Sequence, residues 1–542
     1  MLSYLKLKEN LLVFSFFIIF FIVGLIIYPD YGISIDEDNT RLGGFVSLKY
    51  IFEIFSPSYG SSIDTIITVP TMSEWKEWSI GPIFDIPTAF LEWFFNITDS
   101  RNYYLLRHLV NFLFFFTSVY FFYLLIKKRY KSYLYALAGS TLLILSPRIF
   151  AHSFFNNKDI IFMSLYIIGI YVGVGFINKP TYKNSIIFSL VSAFAIDIRI
   201  TGVILPAIFT FFYLMNYLHY KNYKKISVNP FLFFIFLTPF FITLFWPYLW
   251  SSPFLNFIAA FKTLSNFDVN VFNFYIGEYV NAKNLPWHYI FVWIFITTPI
   301  FYIVLFFLGL YFIFKRIINR LSKFDEIESY NDLWRGKDEF FDLIILTTFL
   351  TPLIYVLSFN STLYDGWRHL YFIYPSFLLI CIYSLQIIRI KFFKDFKKLF
   401  FILFFFFLSP TFFWMIQNHP YQNVYFNNFV LKNFNKYFDM DYWGLSNVNA
   451  LKKIASEQDN TVKVYVVGTS DLFISHSFLE KKYRNKIIIT NDIKDANYII
   501  NHYRNWLGNK VNHNFKETNN FEKFHEIKIN NIAINSIYKK ND

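Results

Sequence analysis

The chain has 542 residues, a net charge of +13, 55% hydrophobic and 23% aromatic residues, and only 16% charged ones. Soluble domains carry about 25% charged residues, so a purely soluble enzyme and a disordered chain are both excluded. The single cysteine, Cys381, sits inside an apolar run and excludes an intramolecular disulfide framework or a CxxC metal site.

Apolar runs that suit membrane helices lie near 11–28, 103–126, 133–150, 160–177, 185–196, 201–218, 229–247, 289–314, 340–358, 369–388 and 399–416. The first has the basic flank of a signal peptide but is longer than a typical apolar core and lacks a small-residue cleavage site, so it reads as an uncleaved helix. Asp197 and Arg199 separate the fifth and sixth runs, which read as two helices meeting near one interface. Basic clusters fall at Lys6/Lys8, Lys127/Lys128/Arg129/Lys131, Lys179/Lys183, Lys221/Lys224/Lys225, Lys315/Arg316/Arg320 and Arg389/Lys391/Lys394/Lys397/Lys398, each at an alternate crossing. With those loops cytoplasmic, the positive-inside rule holds along the whole chain. The expectation is a polytopic α-helical membrane protein of about eleven helices, N-terminus cytoplasmic and C-terminus extracytoplasmic. The excess positive charge is then topological, and nucleic acid is not expected as a partner.

The division expected is a transmembrane domain over 1–416 and a small extracytoplasmic α/β domain over 417–542. In the latter, Val462–Val467, Lys486–Thr490, Tyr498–Ile500 and Ile527–Ile537 read as short strands and Val448–Ser456 as a helix. Two large external loops interrupt the first domain. The loop at 29–102 has eleven acidic and four basic residues, a net charge of −7, and its stretches Phe45–Phe55 and Ile83–Trp93 suit helices lying in the interface. The loop at 248–288 carries Trp250 and Trp287, which fit an aromatic belt.

Polar residues that could do chemistry gather on the external side. Asp36-Glu37-Asp38 follows the first helix; three consecutive carboxylates repel one another and call for a partner, whether a metal, a cation or a substrate hydroxyl awaiting deprotonation. The bland alternative is a solvated acidic turn. Arg148, His152, Lys158 and Asp159 crowd the segment between the third and fourth helices, Asp197-Ile198-Arg199 forms another polar island, and Tyr364-Asp365-Gly366-Trp367-Arg368-His369 opens the tenth helix. Charges this close to hydrocarbon mark function or tight pairing. Arg148, Arg199, Arg368 and His369 suit an anionic lipid headgroup, while Asp197 with Arg199, and Asp365 with Arg368, can equally be read as local ion pairs. His108 and His288 read as interface histidines without a role. No Walker A, GxGxxG, HExxH, GxSxG or EF-hand pattern occurs.

This arrangement, with Asp36-Glu37 and Asn39-Thr40-Arg41, Gly81-Pro82-Ile83-Phe84, Ser146-Pro147-Arg148 and Phe155-Asn156-Asn157-Lys158-Asp159, resembles the integral-membrane glycosyltransferases of the GT-C fold. Within them it is similar to the protein O-mannosyltransferase and aminoarabinose lipid A transferase group, families 39 and 83. The resemblance covers 1–220 in arrangement and motif and the rest more loosely. It implies transfer of a sugar from a polyprenyl-phosphate donor to an extracytoplasmic acceptor, a glycan, lipid or protein. Asp36 or Glu37 would be the base and Asp159 the second acidic position, serving metal contact or positioning. Arg148, Lys158, Arg199, Arg368 and His369 would hold the donor phosphate. No cofactor is fixed by it, and a divalent cation stays open. Likeness to bacterial members implies the inner membrane, with the endoplasmic reticulum as the alternative. The competing reading is a polytopic lipid or solute transporter or flippase, for which the acidic first loop and the external domain have no use.

Overall fold

The computed structural model describes residues 2–57, 68–220, 228–265, 270–322, 333–429, 434–468, 471–505, 507 and 520–541. Lys221, Lys224 and Lys225 of one basic cluster, and Asp64 of the acidic loop, lie outside the described residues.

Each apolar run is helical. The chain forms α1 (Leu2–Ile27), α2 (Asp36–Phe55), α3 (Asp85–Phe94), α4 (Ser100–Tyr130), α5 (Tyr133–Ile144), α6 (Pro147–Phe155), α7 (Asp159–Asn178) and α8 (Tyr182–Ile198). It continues through α9 (Ile204–Tyr220), α10 (Asn229–Phe245), α11 (Pro253–Ser265), α12 (Tyr289–Thr297), α13 (Ile300–Leu321), α14 (Gly336–Ser358), α15 (Tyr374–Phe392) and α16 (Lys397–Gln417). Among the described residues eight helical segments are long and apolar enough to span a bilayer, or nine if α5 and α6, bent by 70°, form one span. The sequence count of about eleven also included the runs of α8 and α10, which are helices of 17 residues, each about 26 Å long at 1.5 Å per residue.

Local chemistry sets the breaks. Pro147 occupies the first turn of α6, where its missing N–H costs nothing. Pro299 stops α12 from running into α13, because proline disfavours helical backbone in the residue before it. Helix α4 starts at Asp99, whose carboxylate accepts the Arg101 N–H at 3.1 Å. It ends with Lys127, Lys128 and Arg129 in its last turn and Lys131 in the left-handed region, so this basic cluster also complements the helix dipole. At that same end Asp342 of α14 accepts from Arg129 at 2.9 Å and from Arg316 at 2.9 Å.

The outer helices expose apolar faces, for example Phe14, Ile19 and Ile26 of α1, Phe307 and Ile318 of α13 and Phe405, Phe406 and Phe413 of α16. A soluble surface would bury such stripes; hydrocarbon solvates them. The two most deeply buried spans are α7 and Arg368–Phe392. Their first residues, Asp159 and Arg368, lie at the end of the bundle opposite Asp342.

At that end the first loop folds as α2 and α3, clamped to α4 by Arg107. This buried guanidinium donates to Asp85, to Thr88 Oγ1 at 2.7 Å and to Thr40 Oγ1 at 3.1 Å. Burial raises the Asp85 carboxyl and Arg107 opposes the shift. Further on, Ile83 N–H donates to Asp197 Oδ1 at 2.8 Å. Gly81 has no room for a side chain, since a Cβ there would lie 2.3 Å from the Asp197 carbonyl. The second loop holds a hairpin of β1 (Phe272–Tyr275) and β2 (Glu278–Asn281), turned at Ile276 and Gly277 with φ of 52° and 86°. Trp250 packs on Tyr50 and Phe55 of α2, and Trp287 is exposed.

Residues 418–429 and 434–445 lie across this end of the bundle, ahead of α17 (Ser446–Ser456), then β3 (Val462–Val467), β4 (Ile487–Ile489), β5 (Tyr498–Asn501), β6 (Phe521–Ile529) and β7 (Ile532–Lys540). The sheet order is β4-β3-β5-β7-β6, parallel across β4-β3-β5 and antiparallel beyond. The protein is therefore a polytopic helical membrane protein with a small C-terminal α/β domain. The domain's core of Leu451, Ile454, Val464, Ile487 and Ile500 is continuous with Tyr104 of α4 and Ile33, and Arg484 pairs with Asp99 at 2.6 Å. His502, just past β5, is buried, and burial with the nearby Arg504 cation pushes its pKa down to about 3.

A neutral buried imidazole makes stability fall as pH drops from 6.5 towards 3, because only the unfolded chain takes up the proton. The buried carboxyls Asp365, Asp439 and Asp441, raised by burial, act in the opposite sense, so the comparison must be between variants. Replacing His502→Asn should remove up to about 1.4 kcal/mol per pH unit of acid destabilisation, read as a thermal midpoint that declines less between pH 6.5 and pH 4 than in the unaltered protein.

Candidate active site

The three consecutive carboxylates at the start of α2 do not share one environment. Successive helical residues point about 100° apart, so each finds its own partner and their mutual repulsion is relieved. Asp38 accepts from the Tyr104 hydroxyl at 2.8 Å. Glu37 is buried, accepts the Ser34 N–H at 2.9 Å and faces His108 Nε2 at 3.0 Å. Asp36 keeps a side chain 39% exposed and lies 3.8 Å from the Arg368 guanidinium. The solvated-turn reading of this segment therefore fails for Glu37 and Asp38, and His108 has a partner after all.

Asp159 begins α7, where a negative charge suits the helix dipole. Asn156 folds back over it, accepting the Asp159 N–H at 2.9 Å and donating to Oδ2 at 2.9 Å. Two arginines share the carboxylate: Arg199 contacts Oδ1 and Arg368 donates to Oδ2 at 3.2 Å. Asp197 and Arg199 are thus not a local ion pair. Asp197 holds the first loop and Arg199 reaches the adjacent helix. Asp365 and Arg368 do pair, at 3.4 Å. The Arg368 side chain is 3% exposed, between the rings of Tyr364 and Trp443 at 4.8 and 4.9 Å, and its Nη2 also faces Asp36.

The structure thus brings Asp36, Asp159, Arg199 and Arg368 into one cluster. His369 is next to it, its ring edge-on to Tyr364 at 4.7 Å. Lys158 projects into a narrow cleft of about 20 Å3 with Asn39, Thr40, Glu77, Trp78 and Tyr248, room for about one water. Arg148 goes elsewhere: it donates to the Tyr425 carbonyl at 3.0 Å and is held between Trp293 and Phe426 at 5.4 and 4.9 Å. It makes no ion pair with Asp159; aromatic faces and a carbonyl are its neighbours instead. One turn on, His152 accepts from Asn156 at 2.9 Å and shares a 2.9 Å hydrogen bond with the Tyr442 hydroxyl, which ties the stretch 434–445 to Asp159. His288 shares a 2.6 Å hydrogen bond with Tyr275.

Two charged residues that the sequence did not single out join the cluster. Arg504 donates to Asp365 at 2.9 Å and contacts Asp439. Burial raises both carboxyls and Arg504 pulls each back down, with Arg368 adding to the effect at Asp365. No motif marks Arg504; the one available signal is an arginine just after a β-branched strand. Beside the cluster lies an apolar cavity of about 410 Å3, lined by residues including Ile83, Phe84, Phe114, Ile161, Phe194 and Trp250.

Among the described residues no three His, Cys, Asp or Glu side chains group as metal ligands. A divalent cation would have to displace Arg199 or Arg368 to reach Asp159, so the residues present fit such an ion poorly.

No protein-family model and no curated protein matches the chain. Among solved structures it is similar to ArnT of Cupriavidus metallidurans bound to undecaprenyl phosphate, at 10% identity and a TM-score of 0.45 over 96% of this chain and 97% of that one. It is also similar to the oligosaccharyltransferase of Archaeoglobus fulgidus tethered to an acceptor peptide, at 11% identity and a TM-score of 0.39 over 77% of this chain and 56% of that one.

Replacing Asp159→Asn leaves two arginines without their shared counter-charge. Breaking a buried pair this way costs about 3–5 kcal/mol; thermal unfolding in detergent should show a clear loss, larger than for Asp36→Asn, whose side chain is partly solvated.

Proposed function

We propose that the chain is an integral-membrane glycosyltransferase that moves a sugar from a polyprenyl-phosphate donor to an acceptor on the side of the external domain. The observation that carries this reading is the contrast among the clustered carboxylates. Asp159 and Asp365 are each held by two arginines, while Asp36 is partly exposed and close to Arg368. A carboxylate free of tight pairing, at the edge of a fixed charge network, is what proton abstraction from an acceptor nucleophile needs.

In a single displacement the acceptor oxygen or nitrogen bonds to the anomeric carbon, its proton passes to Asp36, and the bond from that carbon to the phosphate oxygen breaks. Arg199, the more exposed of the two arginines on Asp159, holds the departing polyprenyl phosphate as its charge develops, and Lys158, in the neighbouring narrow cleft, adds positive charge from beside it. Arg368 and His369 border the same place. Glu37, engaged by His108 and the Ser34 N–H, fixes the start of α2 and so the aim of Asp36. Arg148 supports the α6 segment below Asp159. The apolar cavity beside the cluster suits the isoprenoid chain, which needs burial but no hydrogen bonds. No metal step enters. The membrane orientation and bacterial inner-membrane location belong to the same proposal, as does the division of the chain near residue 416.

Purified protein in liposomes, given a polyprenyl-phosphate sugar and an acceptor, tests this. The double replacement Asp36→Asn with Glu37→Gln should lower transfer at least about 100-fold, within the usual worth of a general base, with insertion unchanged; full activity would overturn the assignment. Lys158→Ala should raise the donor KM about tenfold with a smaller effect on acceptor KM, and the reverse order would count against the phosphate role.

A further inference from the structure

Arg504 belongs to the external domain, yet its guanidinium ends against a residue of the membrane cluster. It is 1% exposed and bridges Asp439 and Asp365, and the second oxygen of Asp365 accepts from Arg368 at 3.4 Å. Charges therefore alternate without a gap from Asp439 through Arg504, Asp365, Arg368 and Asp159 to Arg199.

The backbone on both sides of the Asp365–Arg504 pair is held in an unusual conformation. Asp365 and Gly366 have φ of 58° and 73°, and Tyr503, next to Arg504, has φ of 63°. A bulky aromatic residue in the left-handed region is a true outlier, and such strain persists where surrounding contacts over-determine it. Here Asn273 accepts the Asp365 N–H at 3.0 Å, Asn501 accepts the Tyr503 N–H at 3.0 Å, and the Tyr503 hydroxyl shares a 2.6 Å hydrogen bond with Ser536.

Docking of the domain does not need this pair. Arg484 with Asp99, Arg101 with the Phe478 carbonyl at 3.0 Å, and the shared core at Tyr104 already join the two parts. A buried ion pair also adds little net stability compared with apolar packing. What the pair does determine is how strongly Asp365 pulls on Arg368.

We infer that Arg504 is a positioning residue of the membrane site: by occupying one oxygen of Asp365 it leaves Arg368 directed at Asp159 and Asp36, so that the external domain completes the site. The inference rests on the transferase reading. Without Arg504, the whole Asp365 carboxylate is open to Arg368, which swings towards a bidentate pair with Asp365 and away from Asp159.

The test uses the full-length protein in liposomes. Arg504→Gln should lower kcat at least about tenfold with donor KM changed less than about threefold, and Arg504→Lys should recover part of the loss. The double variant Arg504→Gln with Asp365→Asn removes the competing carboxylate and should transfer faster than Arg504→Gln alone. A purely structural role predicts a double variant no better than the single, and that result, or an unaltered Arg504→Gln, would overturn the inference. A second readout does not depend on activity. Hydrogen exchange over 364–371 and 439–445 should rise in Arg504→Gln and fall back in the double variant, while 99–104 stays protected; exchange unchanged over 364–371 would overturn it as well. Absence of sugar transfer in the unaltered protein would instead sink the transferase reading, with the exchange result still deciding whether Arg504 positions Arg368.

Discussion

The sharing of one buried carboxylate by two arginines is the constraint around which the end of the bundle that carries the C-terminal domain is organised. Asp159 starts the central helix α7, and Arg199 and Arg368 arrive from the end of α8 and the start of the span that includes α15. None of the three could lie at that depth alone, since an unpaired charge next to hydrocarbon is expensive. Once they meet, the helix ends are fixed relative to one another, and Asp36 is presented to a rigid border of charge.

Around this knot the first loop serves as scaffold. Arg107 ties α2, α3 and α4, Asp197 takes the Ile83 N–H, and Arg41 pairs with Glu92 over the ring of Tyr103. Five of the loop's eleven acidic residues are spent on structure: Glu37, Asp38, Asp85, Glu92 and Asp99 all have defined partners. A loop that looks acidic in composition thus holds several internal clamps.

The helical architecture was readable because lipid demands long apolar runs and because basic clusters alternate with crossings; Arg129 and Arg316 meeting on Asp342 is the structural counterpart of that alternation. The members of the cluster on α2, α7, α8 and the 364–369 segment were also readable, since each is a charge where the pattern predicts hydrocarbon. Three things were not. The phase of α2, which separates Asp36 from Glu37, depends on where the helix begins. The destination of Arg148 depends on Trp293 and Phe426, distant in sequence and indistinguishable from other aromatics in so aromatic a chain. Arg504 and Asp439 lie in a polar domain where charges are ordinary, so nothing in the sequence sets them apart.

The spacing of the Asp159 contacts along the chain also orders events during synthesis. Arg199 follows Asp159 by 40 residues, across a single helical hairpin, whereas Arg368 follows by 209. The growing chain can thus neutralise Asp159 as soon as α7 and α8 have entered the bilayer, long before Arg368 exists. Arg199 is therefore the partner within reach first, and Arg368 is a later arrival that converts an ion pair into a shared one.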